Sequence, residues 1–224
     1  NVTALRHRLQ EMRAGNPNAS VRPNLREFLR EAVHAPDDAS FLNGFYGVIT
    51  NRLLQAIDQD ITQLDPSGNA NEVRLLSRMR TSLSDQMTWY QGLNPPINDS
   101  VWGHHMTKSL EALGGWHGEE TAGDIPQYEG PRFNRPDTIM FDERIKIGPL
   151  MKYEERQKLD AAGATIEQFK VFFNEFYAAA LLASILFDAD EGDYPWEFFS
   201  DFSRHFWDEV RHSEFGCIRL RELG

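Results

Sequence analysis

The stretch that decides the fold is WDEVRHSEFG, residues 207–216, which contains Glu209-x-x-His212. Residues three apart on a helix lie on the same face, so a carboxylate and an imidazole stand side by side here and can chelate one metal ion. His205 lies on the same face, where it is the nearest candidate for a second imidazole or for a partner that orients a ligand. A solvated helix face gives the same spacing, and this alternative stays open on the motif alone.

A single acid, Glu175, lies inside the apolar, helix-forming run of residues 172–186. A helix that is apolar on nearly all sides is buried, and a buried carboxylate needs a metal, a base or a hydrogen-bond network as its partner. One such Glu followed by Glu-x-x-His on the next helix is half of the arrangement found in di-metal helical bundles. Glu175, Glu209 and His212 are therefore the predicted metal ligands.

These features resemble the second helical pair of the ferritin-like superfamily, from about residue 168 to residue 224. That superfamily duplicates a two-helix unit, and the first half of the chain repeats the pattern. FLNGFY at 41–46 aligns with FFNEFY at 172–177, and SDQMTW at 84–89 aligns with WDEVRH at 207–212. The resemblance implies two helical hairpins joined by one long crossover.

The metal ligands are not repeated in the first half. The alignment pairs each candidate ligand with a residue of a different type: Gly44 with Glu175, Gln86 with Glu209, and Trp89 with His212. Glycine inside a helix costs about 1 kcal/mol relative to alanine, so we expect another group to approach Gly44 closely. Trp89 is the candidate, because its bulk would fill the volume that a metal and its ligands occupy in a complete site. The sequence thus predicts a degenerate metal-carboxylate site.

The whole pattern predicts an all-α fold, a ferritin-like four-helix bundle that forms a single domain over residues 1–224. Long helices are expected over four stretches: 41–61, 71–92, 165–187 with Thr165 as its cap, and 195–223. The parts in chain order are an N-terminal arm with a short helix, a first helical hairpin, a long crossover insertion and a second hairpin, over residues 1–36, 37–92, 93–163 and 164–224. Within the insertion, residues 102–113 predict a helix and residues 118–149 an extended loop with one short strand pairing.

Two further groups compete for a role in metal binding. Glu31 and His34 repeat the Glu-x-x-His spacing in a short helix that ends before Pro36, where the helix dipole favours a histidine. If this pair binds metal, its helix replaces the degenerate one. The insertion carries residues that a loop can bring to an incomplete site: His104, His105, His117, Glu119 and Glu120. The alternative is that they are ordinary surface or cap residues.

The composition argues against several classes of partner. The chain has 224 residues, of which 41% are hydrophobic, and no uncharged apolar window is long enough to indicate a membrane span. The net charge of -11 argues against nucleic acid or an anionic membrane as the main partner. Cys217 is the single cysteine, which excludes an intrachain disulfide and a cysteine-built zinc site. A cytoplasmic location is expected.

Two carboxylates and one histidine suit iron or manganese as the metal. The resemblance then implies an iron- or manganese-dependent oxidase or hydroxylase that acts on an unidentified small molecule. The alternative is a ferritin-like scaffold that binds no metal and works through a protein partner. In that case Glu175, Glu209 and His212 form a hydrogen-bonded network, with Arg211 or Tyr177 nearby. The apolar N-terminal arm is compatible with a homodimer.

Overall fold

A computed structural model describes residues 2–14, 16, 22–94, 101–118, 123–134, 137, 148–189 and 194–223. Every regular element in these ranges is a helix, which confirms the all-α prediction. The chain divides into two compact units, Asn1–Arg135 and Pro136–Gly224, and the division falls inside the predicted crossover. The ferritin-like arrangement of four helices and the single domain over residues 1–224 stay predictions.

The first unit contains the helices predicted over 41–61, 71–92 and 102–113. The first of these is continuous but changes type, because a π-helix of 8 residues lies between two α-helical segments. In chain order the elements are α1 Val2–Glu11, α2 Pro23–Ala32, α3 Asp38–Leu42, the π-helix π1 Asn43–Thr50, α4 Asn51–Gln63, α5 Ala70–Gly92 and α6 Val101–Ala112. The helix predicted over 102–113 comes from the insertion and packs on π1.

Aspartate side chains set the ends of the first hairpin. Asp37 caps α3, because its carboxylate accepts a hydrogen bond of 2.7 Å from the amide of Ser40. Asp65 accepts hydrogen bonds from the amides of Ser67 and Gly68, at 3.0 Å and 3.1 Å. Such a turn lets the chain reverse within a few residues, and α5 consequently packs on α4.

The core of the first unit forms where α2 and π1 meet α6. Phe28 of α2, Val48 and Ile49 of π1, and Trp102 and Met106 of α6 are all buried in one cluster. Burial of large apolar side chains is the main favourable contribution to folding. The inserted helix α6 is therefore part of the structural core of this unit.

Gly44 does face a tryptophan, but not the predicted one. A Cβ atom at Gly44 would lie 2.8 Å from Nε1 of Trp102 and 3.3 Å from Cγ of Met106. Trp89 is 52% exposed, and its ring contacts the ring of Tyr46 with the centroids 5.6 Å apart. The prediction that Trp89 fills the space at Gly44 is therefore wrong, because α6 covers this face of the helix.

The second unit contains α7 Tyr153–Arg156, α8 Ala161–Asn174, α9 Phe176–Asp188 and α10 Trp196–Leu223. The helix predicted over 195–223 is confirmed. The preceding helix begins earlier than predicted, because Asp160 provides the cap by accepting a hydrogen bond of 2.7 Å from the amide of Gly163. The cap predicted at Thr165 is wrong, since its hydroxyl donates to the carbonyl of Ala161 within α8.

A loop of the first unit is anchored to the end of α2. The amide of Phe133 donates to the carbonyl of His34 at 2.9 Å, and the carbonyl of Phe133 lies 2.9 Å from Nδ1 of the same histidine. The described residues of the stretch 118–149 contain no strand. The rest of that stretch, residues 119–122, 135–136 and 138–147, lies outside the described residues, so the predicted strand pairing there stays a prediction.

The stretch Ala161–Asp188 spans α8 and α9 and is long and apolar enough to cross a membrane. Its most apolar 18-residue segment has a mean hydropathy of 1.4, and 11% of that segment is buried. One such helix is weak evidence, because the core helix of a soluble protein has the same length and composition. The predictions of no membrane partner and of a cytoplasmic location stay predictions.

Candidate metal centre

The helices that carry the predicted ligands cross closely at Gly216. This residue of α10 is buried, and a Cβ atom there would lie 2.7 Å from the carbonyl oxygen of Phe169 and 2.8 Å from the carbonyl carbon of Phe172. Only glycine therefore lets α10 lie this close to the backbone of α8. His212 is one helical turn before Gly216 and on the same face, so the crossing brings its imidazole to the end of α8.

Glu175 lies at the point where α8 ends and α9 begins. Its amide donates to the carbonyl of Phe172 at 3.1 Å, and this spacing of three residues makes a tighter turn than the α-helix does. The helix predicted over 165–187 is therefore interrupted at the candidate ligand instead of running through it.

The structure brings the three predicted ligands together. One ligand atom from each of Glu175, Glu209 and His212 lies within 4.8 Å of the other two. The Oε2 atom of Glu175 is 2.9 Å from Nδ1 of His212. The side chains of Glu209 and Glu175 are 15% and 26% exposed, whereas that of His212 is 45% exposed. The carboxylates are thus shielded, and the imidazole is the more accessible part of the group.

The negative charge of Glu175 is poorly compensated. Its Oε2 atom is shielded from solvent, and Nδ1 of His212 lies 2.9 Å from it. Burial raises the pKa of Glu175, and the charge of Glu209 raises it further, while His212 acts in the opposite direction. A cation between the two carboxylates would reduce their repulsion.

His205 contacts one of the candidate ligands, Glu209. Its Nε2 atom lies 2.8 Å from Oε1 of Glu209, one helical turn along α10. A histidine that hydrogen-bonds a ligating carboxylate holds it in one orientation. Arg211, one of the two residues expected near a metal-free network, forms an ion pair of 3.1 Å with Asp208.

Glu31 and His34, which form the second Glu-x-x-His pair, contact residues outside the candidate metal centre. Oε1 of Glu31 is 3.0 Å from Nε2 of His105 and accepts a hydrogen bond of 3.0 Å from Nη1 of Arg132. His34 contacts the carbonyl of Phe133. Since Arg132 forms an ion pair with the carboxylate of Glu31 and His105 contacts it, these contacts support a structural role for the pair.

The histidines of the insertion are not grouped around one point. His105 is bound to Glu31, and His117 lies 2.8 Å from Asp60. His104 is exposed and lines a cavity beside π1. Glu119 and Glu120 lie outside the described residues. Among the residues that the structure describes, Glu175, Glu209 and His212 form the one cluster whose ligand atoms could hold a metal ion.

The first hairpin shows a different environment at the aligned positions. Gly44 is buried against Trp102, and Gln86 and Trp89 are exposed. None of the three offers a carboxylate or an imidazole.

Sequence reasoning overlooked Gly216. The signal was present, because a glycine in the middle of a helix that is otherwise rich in large residues indicates a close approach of another backbone. It lies one turn beyond His212, which is where the helices that carry the ligands must meet.

Comparisons of the chain with protein-family models, with curated proteins and with solved structures found no match. The resemblance to the ferritin-like superfamily stays a prediction from the residue pattern.

Proposed function

We propose that the second unit binds one iron or manganese ion through Glu175, Glu209 and His212. The observation that carries the proposal is the convergence of these three side chains within 4.8 Å, from the junction of α8 with α9 and from α10. Carboxylate oxygens with one imidazole nitrogen are a ligand set that suits both metals. The shielding of the Oε2 atom of Glu175 and the nearby charge of Glu209, which both disfavour its negative charge, support a cation at this point.

The proposal extends to a ferritin-like protein with a degenerate site, acting as an oxidase or hydroxylase on an unidentified small molecule. The order of Glu175 on one helix and Glu-x-x-His on the next supports it. A bound iron ion would supply the redox chemistry for oxidation by dioxygen. The chain itself contributes the two carboxylates, the imidazole and the orientation of Glu209 by His205. No described residue is assigned a catalytic role.

Metal binding should strengthen as the pH rises. A carboxylate must lose its proton before it binds a metal, and the raised pKa of Glu175 moves this step above the ordinary glutamate value of 4.5. Binding of the ion therefore releases a proton over the range in which Glu175 is still protonated in the metal-free protein.

The test is elemental analysis of the full chain, purified from cells supplied with iron and manganese. The variant Glu209→Gln/His212→Gln removes one carboxylate and the imidazole. The matched control is Asp60→Asn/His117→Gln, which removes an exposed carboxylate–imidazole pair of 2.8 Å in the first unit. We expect near-stoichiometric iron or manganese in the parent and the control and none in the site variant. Equal metal content in all three proteins, or zinc in place of both metals, would contradict the proposal.

A second function is favoured by the mutual contacts of the same residues. The contact of Glu175 with His212 and that of Glu209 with His205 can form a network without metal. The protein would then be a non-catalytic scaffold that acts through a protein partner. A metal-free parent whose melting temperature does not change with a chelator supports this scaffold and excludes the oxidase or hydroxylase.

A further inference from the structure

A cavity with a largely apolar wall lies in the first unit, between α1, the end of α4 and the start of α5. Its volume is about 310 Å³, at the lower end of the range of small-molecule sites. Six of the residues that line it are leucine or methionine: Leu5, Leu9, Met12, Leu64, Leu75 and Leu76. The polar lining residues are Arg8, Asp60, Gln63 and Glu72. None of these residues belongs to the proposed metal centre.

The side chains of α1 and its last turn form one side of this cavity. Leu5, Leu9 and Met12 are spaced by four and three residues, so they lie on one face of the helix. Arg8 joins α1 to α5, because its Nε atom donates a hydrogen bond of 2.8 Å to Oε1 of Glu72. The ion pair therefore holds α1 beside the hairpin, while the apolar face of α1 lines an unfilled space.

The size and the wall of this space favour an apolar ligand. A cavity of about 150 Å³ with an apolar lining binds benzene, and the cavity beside α1 has about twice that volume. It can hold a molecule of about six to eight carbon atoms whole. Leu9 and Met12 are partly exposed, so a ligand can enter beside them. Burial of the leucine side chains under such a ligand is favourable.

The charged side chains of the wall already have partners. Each nitrogen of the Arg8 guanidinium donates a hydrogen bond, Nε and Nη2 to Glu72 and Nη1 to Glu11. Oδ1 of Asp60 lies 2.8 Å from Nε2 of His117. An ionised ligand inside the cavity would lose its hydration without gaining an unpaired opposite charge from the described lining residues, which costs free energy. An uncharged ligand avoids this cost.

We propose that this cavity binds an uncharged apolar molecule of about six to eight carbon atoms. Its chain or ring contacts the leucine side chains of α1 and α5, so the bound ligand stabilises α1 against the hairpin. The site is independent of the metal centre in the second unit, and each proposal can fail without the other.

The test is calorimetric titration of the full chain with hexan-1-ol, hexanoate and hexylamine, which share a six-carbon chain and differ in charge at neutral pH. We expect the alcohol to bind and the two ions to bind about tenfold more weakly or less, because each must give up its hydration. In the series butan-1-ol, pentan-1-ol and hexan-1-ol, each added methylene group should tighten binding about fourfold, the effect of burying one such group. These comparisons use the unchanged protein.

Variants locate the binding in this cavity. Leu9→Asp places a charge in the apolar wall and should weaken binding of hexan-1-ol about tenfold or more. The matched control is Leu29→Asp on α2, because both leucines lie in the second half of a helix of 10 residues and are 39% and 36% exposed. Both positions are at the surface, so neither change should unfold the chain, and circular dichroism checks this. The proposal is overturned if no alcohol binds, if either ion binds as tightly as hexan-1-ol, or if Leu9→Asp binds like the control.

Discussion

The two hairpins of this chain share a sequence pattern but use it differently. In the first hairpin, Gly44 makes room for the side chain of Trp102. In the second hairpin, the aligned position holds Glu175, and the glycine that permits a close approach is Gly216, which lies against the backbone of α8. One hairpin thus uses its close contact for apolar packing, whereas the other uses it to bring carboxylates and an imidazole together.

The difference shows which features of the sequence pattern the two halves share. Both halves have helical periodicity, because packing depends on apolar side chains at regular spacing. The proposed metal centre depends on three particular residues and on the helix crossing that brings them together. The predictions below test whether the second hairpin has properties that the first hairpin lacks, from the largest expected effect to the smallest.

The largest effect should come from removing the metal. A ligand that binds only the folded state stabilises it by about 2.7 kcal/mol at a free concentration one hundred times its dissociation constant, which for a chain of this length corresponds to about 5–10 °C in melting temperature. We expect a chelator to lower the melting temperature of the parent by this amount, measured by differential scanning calorimetry.

The aligned residues of the first hairpin provide the control for that measurement. Gln86→Ala/Trp89→Ala should leave the effect of the chelator unchanged, whereas Glu209→Gln/His212→Gln should abolish it. If the chelator still lowers the melting temperature of Glu209→Gln/His212→Gln as it does that of the parent, the second hairpin does not differ from the first in metal binding.

The next effect concerns the two glycines. Gly216→Ala should lower the free energy of unfolding by about 1–3 kcal/mol, the usual cost of overpacking, because its added methyl group would meet backbone atoms of α8 that cannot move aside. Gly44→Ala should cost less, since its neighbours are side chains of Trp102 and Met106. Urea denaturation of both variants measures the difference, and a larger loss for Gly44→Ala would show that we have located the tighter contact wrongly.

A smaller effect is expected from the charge of Glu175 in the metal-free protein. Its pKa is raised by burial and by Glu209, so the folded state binds this proton more tightly than the unfolded state does. The protonated form contributes stability below the ordinary value of 4.5, and this contribution is lost as the pH rises through the raised pKa. Glu175→Gln should therefore be more stable than the metal-free parent near neutral pH and should lose the metal.

The check is the free energy of unfolding of the metal-free proteins, measured in urea at several pH values. A parent that is as stable as Glu175→Gln across the whole range would contradict the raised pKa.

Glu167 on α8 should show the opposite pH dependence. It is buried, Lys170 donates a hydrogen bond to it, and the amide of Met151 donates another at 3.3 Å. The hydrogen bond from Lys170 lowers the pKa of Glu167, although burial opposes this. Its stabilising contribution is present above the ordinary value of 4.5 and is lost as the pH falls through the lowered pKa.

We expect Glu167→Gln to reduce stability at neutral pH by the smallest amount of this series and to remove part of the acid sensitivity. The measurement is acid unfolding followed by circular dichroism, with Glu214→Gln on the exposed face of α10 as the control. A variant that unfolds over the same pH range as the parent would assign the acid sensitivity to other groups.

Much of the local structure could be predicted from the sequence. The helices over 71–92, 102–113 and 195–223 follow from short-range patterns, and the structure contains all three. The start of α8 was misplaced because Asp160 and Thr165 are both suitable cap residues, and the sequence does not show which of them the backbone uses. The prediction that Trp89 lies against Gly44 was wrong because Trp89 and Trp102 are equally bulky. Only the packing of α6 selects between them.

The sequence by itself determined the helical content and the shared face of His205, Glu209 and His212, because both depend on residue spacing within a few turns. Only the tertiary structure decided that Glu175 lies at a break between two helices, that Gly216 lets α10 approach α8, and that Glu31 pairs with Arg132 and His105. Contacts between residues far apart in the chain depend on which surfaces pack together, and helical periodicity leaves that choice open.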